Sequence, residues 1–450
     1  MPNSAPATTA AVLAELGLAS VEPLFAQIPA AHRLDGLPDL PPALSSEVEL
    51  RRHLNDLAAQ NRPAGDMLSF LGGGIWQHHV PAVVDEIIGR AEFLTPVWGT
   101  PSSDFGRNQV WWEFTSQLGA LLGLELVGLP VYSWGAAAGH GVRMAARITG
   151  RTRIAIPAAI CPERLAVLRG YAESIDPELR LELVPLPCDA IGRIDVSALA
   201  AMADARLAAV YYENPAYRGG LETGAAAIAA IAAGCGALTI AGVDPITLGV
   251  IAPPGDLGVD IAVGTIQTLG VHMNAGGGLG GFIASRDEAR FAAEYPTLLN
   301  SLTTTVDGQL AFGLMLFHQS SYGSRELGKD WTGNSTYLWA VAAATHMALL
   351  GPAGFAELGR LILHTTTAAA RRLAAVPGIQ VAETTGIFRE ILIDFSASGH
   401  SVAAVNAALL ARGILGGIAL DETRALFAVT DVHSPADIEL LATALTEILA

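Results

Sequence analysis

The chain has 450 residues, a mean hydropathy of +0.41 and only 15% charged residues, which excludes intrinsic disorder, because a disordered chain needs low hydropathy and a high net charge per residue. Its 48 glycines and 25 prolines follow no repeating period, so collagen-like and low-complexity readings fail. The formal charge of -17 leaves no chain-wide electrostatic footprint for nucleic acid or an anionic membrane. At this length one large and one smaller domain are expected.

Three cysteines (Cys161, Cys188 and Cys235) without C-x-x-C spacing argue against a disulfide framework and against a cysteine-rich zinc site. The N-terminal residues carry no basic stretch of the signal-peptide type. Gly224 to Val243 is uncharged over the length of a membrane span, but Gly234 and Gly236 divide it, and a buried helix (Ala225 to Ala233) followed by a buried strand (Leu238 to Val243) fits the pattern better. A cytoplasmic protein without a membrane segment is the expectation.

In chain order, an N-terminal arm over 1–65 opens with a short helical pattern at Glu22 to Ala30 and a helix at Ser45 to Ala59, with Ser45 or Ser46 as its cap. The region 66–305 then alternates apolar runs with Ala-rich helical stretches. Strands are expected at Arg153 to Pro157, Leu181 to Leu186, Leu207 to Tyr212, Leu238 to Val243, Asp260 to Gly264 and Gly281 to Ala284. Helices are expected between them at Val142 to Thr149, Glu163 to Glu173, Val196 to Met202 and Ala225 to Ala233. That alternation defines an α/β domain with a mainly parallel sheet. The rest, 306–450, reads as a helix-rich linker (Leu338 to Ala375) and a small C-terminal α+β domain. That domain has apolar runs at Ile379 to Glu383 and Glu390 to Phe395, a helix at Val402 to Arg412 and another from Ala436.

Several motifs dissolve on inspection. Gly323 to Asp330 nearly spells a phosphate-binding loop, but Asp330 occupies the hydroxyl position and would repel phosphate. Gly276 to Gly281 satisfies G-x-G-x-x-G but runs into a strand, whereas a dinucleotide site needs strand, glycines, then helix. His78 and His79 have no second ligand at metal spacing, and no G-x-S-x-G elbow is present. Trp111 and Trp112, adjacent in a helical pattern, belong to the core or an interface.

One count is decisive. Lys329 is the only lysine; the other 25 basic residues are arginines. Asp244 closes one buried strand, and a second strand beginning at Asp260 runs into Gln267-Thr268 and a glycine-rich loop. In pyridoxal-phosphate enzymes of this architecture the first acid pairs with the pyridinium nitrogen, and the Schiff-base lysine follows the second strand. Here that place has no lysine.

Phe70 to Asp85 (FLGGGIWQHHVPAVVD), Arg90 to Thr95 (RAEFLT), Tyr212 to Glu222 (YENPAYRGGLE), Val243 to Pro254 and Gly255 to Phe282 resemble the first subunit of the two-subunit P-proteins, the glycine-decarboxylating family of the glycine cleavage system. The resemblance implies an aspartate-aminotransferase-like, fold type I α/β protein, here in its lysine-less subunit, a degenerate copy of the lysine-bearing one. It implies no covalent cofactor in this chain and pyridoxal phosphate in a partner, a lysine-bearing homologous subunit, with a lipoyl carrier protein receiving the aminomethyl group. By the same resemblance Ser133, Trp134, Gly135, Asn214, Asp244, Gln267 and Thr268 mark a vestigial or partner-shared cofactor pocket. His78, Gly276, Gly277, Gly278 and Lys329 would reach the partner's site.

The departures cluster in pocket-lining stretches. The family's Tyr-Asp-His-Tyr is Trp76-Gln77-His78-His79; its Met-Tyr-Asp-Gly turn is Val131 to Gly135, reading Val-Tyr-Ser-Trp-Gly; its Pro-Asn-Phe is Pro215-Ala216-Tyr217; and the segments at Val97 to Phe105 and around Lys329 are replaced. Two other functions follow from these departures: the same fold retasked to another amino-acid-like substrate, or a catalytically silent homodimer that binds or scaffolds. They also leave two arrangements of the cleft. In one, Asp244 forms the floor of an open pocket, Thr268 faces the void left by the lysine, His78, Asn214 and Ser133 form the wall, and Gly276 to Gly281 the rim. The helix opened by Gly135 and Ala136 to Gly139 would then offer its N-terminus to an anion. In the other, the cleft is filled, with Trp134 or Trp98 as the candidate fillers.

Overall fold

Six of the seven strands that build the central sheet are apolar runs of the kind a sheet covered on both faces demands. They are β1 (Leu126–Val127), β2 (Arg153–Pro157), β3 (Glu182–Leu186), β4 (Leu207–Asn214), β5 (Leu238–Val243), β6 (Ile261–Thr265) and β7 (Gly281–Ser285); β3 alone is substantially exposed. The spatial order is β1-β7-β6-β5-β4-β2-β3. Pairing is parallel throughout except for β7, which runs antiparallel to both β6 and β1. This computed structural model describes residues 5–34, 36, 38–93, 105–174, 176–274, 279–297, 299–315, 321–325, 328 and 336–450.

Alternate side chains of the buried strands feed two cores. Val210, Tyr212, Ala241 and Val243 join one cluster, while Ala209, Tyr211, Ile240 and Val263 join the other, as the two-residue period of a strand requires. The helix Trp134–Thr149 covers one face. It starts two turns earlier than its apolar pattern suggests, because Ser133 caps it by accepting from Ala136 N at 3.1 Å. Its glycines allow close packing: a Cβ at Gly139 would lie 2.4 Å from the Tyr171 ring. The uncharged stretch 224–243 is the helix Ala225–Gly234 and strand β5.

The small-domain sheet is antiparallel, in the order Gln380–Val381, Glu390–Asp394, Arg424–Ala428, Ile418–Ala419. The helices Val402–Leu410 and Pro435–Leu449 contribute to its core. The segment Tyr337–Ala374 is long and apolar enough to cross a membrane, yet Gly351 (φ 56°) interrupts it just before Pro352. Its first half places Ala340, Ala342 and Met347 in the large-domain core, and its second half places Ala369 and Leu373 in the small-domain core. It therefore ties the two cores together.

Two local expectations differ from the structure. Glu22 to Ala30 forms only a 3₁₀ turn at Glu22–Phe25, since Pro29 leaves no room to extend it. A hairpin of Leu299–Thr304 and Leu310–Met315 precedes the helix-rich part; its strands gave no clear apolar alternation. Met1–Pro63 separates as a unit of its own, and none of its described residues is buried.

Packing at two glycines gives a paired expectation. In β6 a Cβ on Gly264 would sit 2.1 Å from the Val243 carbonyl oxygen and 2.6 Å from the Phe282 ring, so Gly264→Ala should cost about 3 kcal/mol or more through overpacking. Gly170, in the helix Pro162–Ala172, faces open space, and Gly170→Ala should gain about 0.5–1 kcal/mol. Urea unfolding midpoints that move in opposite directions check both.

Candidate functional site

β5 delivers Asp244 to the centre of the molecule with no solvent exposure. Its Oδ1 accepts from Ile246 N at 3.3 Å, a local cap of the turn Pro245–Gly249, and from Thr268 Oγ1 at 2.9 Å. Thr268 follows β6, as expected from the sequence, and is itself 1% exposed. The aspartate's other oxygen, Oδ2, lies 2.8 Å from Nη1 of Arg389, a guanidinium that is also 1% exposed. Arg389 comes from the small domain, immediately before the strand Glu390–Asp394. Its backbone is left-handed, φ 68°, held by its N–H donating to Thr366 Oγ1 and its carbonyl accepting from Val429 N.

Around this pair the packing is aromatic and close. The guanidinium carbon lies 4.2 Å from the Trp76 ring centroid. Trp76 Nε1 in turn donates to Glu390 Oε1 at 2.6 Å, and Gly73 N donates to the same oxygen at 2.7 Å. Only glycine fits at position 72, where a Cβ would meet Glu390 Oε2 at 2.3 Å. On the far wall Arg164 makes a bidentate pair with Glu213, 2.8 Å at each nitrogen, and lies over the Trp134 ring at 4.3 Å. Tyr211 also donates to Glu213 at 2.7 Å.

The hole left between these groups, lined by Asp244, Arg389, Trp76, Trp134 and Arg164, measures about 10 Å³. That is room for about one water, where a cofactor-sized ligand needs about 300 Å³ or more. Outside Trp76 and Trp134 an open cleft of 430 Å³ remains, lined by Ser133, Gly135, Arg164, Gln267 and Tyr217 but by neither Asp244 nor Thr268. The helix terminus and the acid that would hold opposite ends of a cofactor therefore face separate spaces. The residues do not fit pyridoxal phosphate: no lysine follows β6, Asp244 is already paired to a cation, and the space over it is filled.

The other sequence-derived residues have local work. Asn214 Oδ1 accepts from Glu222 N at 3.0 Å. Gln267 Nε2 reaches the Trp76 carbonyl at 3.4 Å. The His78 ring is buried, with Nδ1 2.5 Å from Asp431 Oδ1, and burial and then the Arg389 charge lower its pKa. Trp134 packs on Arg164, whereas Trp98, Gly276, Gly277, Gly278 and Lys329 lie outside the described residues. Cys161 borders the cleft, but burial pushes its thiol up to about 11, so it is no nucleophile at neutral pH. Arg389, Trp76 as its stacking partner, and the Arg164–Glu213 pair escaped the sequence reading; the one hint was a charged Arg-Glu step set inside the apolar run Gly386 to Phe395.

The strand order, the single reversed strand and the acid at the end of β5 define the class: an α/β protein of the aspartate-aminotransferase-like, fold type I architecture. Solved structures agree. The chain is similar to a glycine decarboxylase (P-protein) of the glycine cleavage system in inhibitor-bound form, at 34% identity and TM-score 0.88, covering 99% of this chain and 98% of the other. A sphingosine-1-phosphate lyase from Burkholderia pseudomallei, at 17% identity and TM-score 0.65 over 94% of each chain, shares the fold. The family model for the glycine cleavage system P-protein matches residues 3–445. The probable glycine dehydrogenase (decarboxylating) subunit 1 of Thermococcus kodakarensis is 35% identical over all of this chain and 98% of its own length. That of Maricaulis maris is 33% identical over 98% and 97%. The chain belongs to the glycine cleavage system P-protein family, and the relatives it matches are subunit 1 proteins.

Glu390 gives the site a pH signature. Burial pushes its carboxyl up to about 7, against the opposing hydrogen bonds from Trp76 and Gly73. The folded state thus keeps a proton that the unfolded chain releases near pH 4.5, so this contribution is complete below that value and lost as pH rises through about 7. His346 acts in the opposite sense: burial and then the nearby His78 lower its pKa to about 4, so its contribution is lost as pH falls below about 6.5. Glu390→Gln leaves the His346 effect in place and removes the other. Urea midpoints at pH 5 and 7.5 should show the variant gaining on the wild type by a few kcal/mol at the higher pH; a constant difference would contradict the assignment.

Proposed function

We propose that this chain is the non-lysine subunit of a glycine-decarboxylase-type enzyme, and that it works beside a lysine-bearing homologous subunit that carries the pyridoxal phosphate. The reaction of the assembly is decarboxylation of glycine with transfer of the aminomethyl group to a lipoyl carrier protein. The bound cofactor supplies an electron sink for the carbanion left by carbon dioxide. The observation that carries this reading is the occupied inner site: Asp244 is committed to Arg389 and Thr268, and a threonine hydroxyl cannot condense with an aldehyde to an imine. Similarity to subunit 1 proteins over the whole chain supports the glycine chemistry and the need for a second subunit.

Within such an assembly this chain's own residues position and shield. Trp76 and Trp134 stand between the Asp244–Arg389 pair and the 430 Å³ cleft, which Arg164, Ser133, Gln267 and Tyr217 line. The filled inner site also favours, over retasking to another amino-acid-like substrate, a role in which this chain does no covalent chemistry.

Two outcomes test the reading. The isolated chain, mixed with pyridoxal phosphate and reduced with borohydride, should yield no stoichiometrically labelled peptide on mapping; full labelling at Lys329 would overturn it. Co-expressed with a lysine-bearing homologue, the chain should form a stable heteromer by light scattering, with an interface above about 2,000 Å², and the heteromer should exchange the glycine carboxyl with bicarbonate. A monomer at micromolar concentration both alone and with that homologue would exclude the partnership.

A further inference from the structure

Arg389 presents a planar cation, face-on to an indole at 4.2 Å and 2.8 Å from a carboxylate with no access to water. A buried acid for the charge and an aromatic face beneath it are the two elements by which a protein holds a planar cation such as guanidinium. We propose that the inner site is a planar-cation site which the chain fills with its own Arg389. The site is latent and accepts a small free planar cation, an alkylguanidinium, once that side chain is removed.

Three observations carry this. Asp244 stays in place without Arg389, because its Oδ1 is held separately by Thr268 Oγ1 and Ile246 N. The arginine is held by charge and by the indole face, not by a fork of hydrogen bonds: Nε, Nη1 and Nη2, like Asp244 Oδ2, make no hydrogen bond among the described residues, and Nη1 meets Oδ2 as an ion pair at 2.8 Å. A free cation that offers the same charge and plane could therefore replace it. The backbone also lets the side chain be removed cleanly. A residue with a Cβ at φ 68° is conformationally disfavoured where glycine is not, and the main-chain hydrogen bonds with Thr366 and Val429 that hold this backbone do not involve the guanidinium. The inference concerns this chain alone and stands whatever substrate its assembly takes.

Arg389→Gly tests it, since glycine adopts the left-handed backbone freely and only the side chain is lost. Thermal unfolding of the full-length variant is followed while ethylguanidinium is titrated through the millimolar range. The expected result is a saturable rise of a few degrees in Tm for Arg389→Gly, because a ligand bound only to the folded state stabilises it. Wild type, whose site is filled, and Arg389→Gly/Asp244→Asn, whose acid is gone, should show no such rise. No saturable rise in the single variant, or an equal rise in all three proteins, overturns the proposal. If Arg389→Gly does not fold, a double-mutant cycle of Asp244→Asn with the volume-conserving Arg389→Met decides. Each single change strands a buried charge, so the double variant should have a higher urea midpoint than the two single effects summed would give; simple additivity overturns the pairing on which the site depends.

Discussion

A carboxylate with no solvent exposure can remain ionised only if something supplies the charge and hydrogen bonds that water would have given. Asp244 receives these from Thr268, Ile246 and Arg389. The last of these stands at the start of the strand Glu390–Asp394, in a different sheet of the compact unit Ala64–Ala450, so the interior beneath the central sheet is electrically complete only when that second sheet is in place. Trp76 is pinned over the guanidinium, and Glu390, next in sequence, anchors Trp76 and the turn at Gly73. Removing one member of a buried pair costs about 3–5 kcal/mol, which makes this contact a condition for the surrounding packing.

The opposite wall repeats the arrangement. Arg164 pairs with Glu213 and lies over Trp134, as Arg389 pairs with Asp244 and lies over Trp76. Two guanidinium–carboxylate pairs, each covered by an indole, close the interior to about 10 Å³ and leave the open cleft outside. Charge is neutralised pair by pair, and no cation among these four residues is left over to hold an added phosphate.

The scaffold was legible because its signals are local. Strands β2, β5 and β7 fall within a residue of their apolar runs, and Asp244 and Thr268 stand where the strand ends place them. The helix Trp134–Thr149 shows an apolar pattern only from Val142, because its glycines, which let Tyr171 and Val167 pack closely, suppress it; its opening at Gly135 was legible only from the family resemblance. What sequence left open was which of the two arrangements, an open cleft or a filled one, the chain adopts, and that Arg389 does the filling beside Trp134. Two tryptophans were visible as departures from family motifs, but the consequence depended on Arg389, which meets Asp244 only through a long-range contact between two sheets. The local pattern there says no more than that a strand starts with a charge.

The position of Arg389 bears on descent. A single Thr268→Lys change would not give this chain a Schiff-base site, because the new amine would meet Asp244 already neutralised by a second cation in the same buried space. Losing the arginine alone is costly, since the acid would then stand without its counter-charge. Each single step back passes through an uncompensated buried charge, and only simultaneous change avoids it. The ion pair thus works as a ratchet: any single substitution toward an open interior strands a buried charge, and electrostatics holds the chain to its filled one.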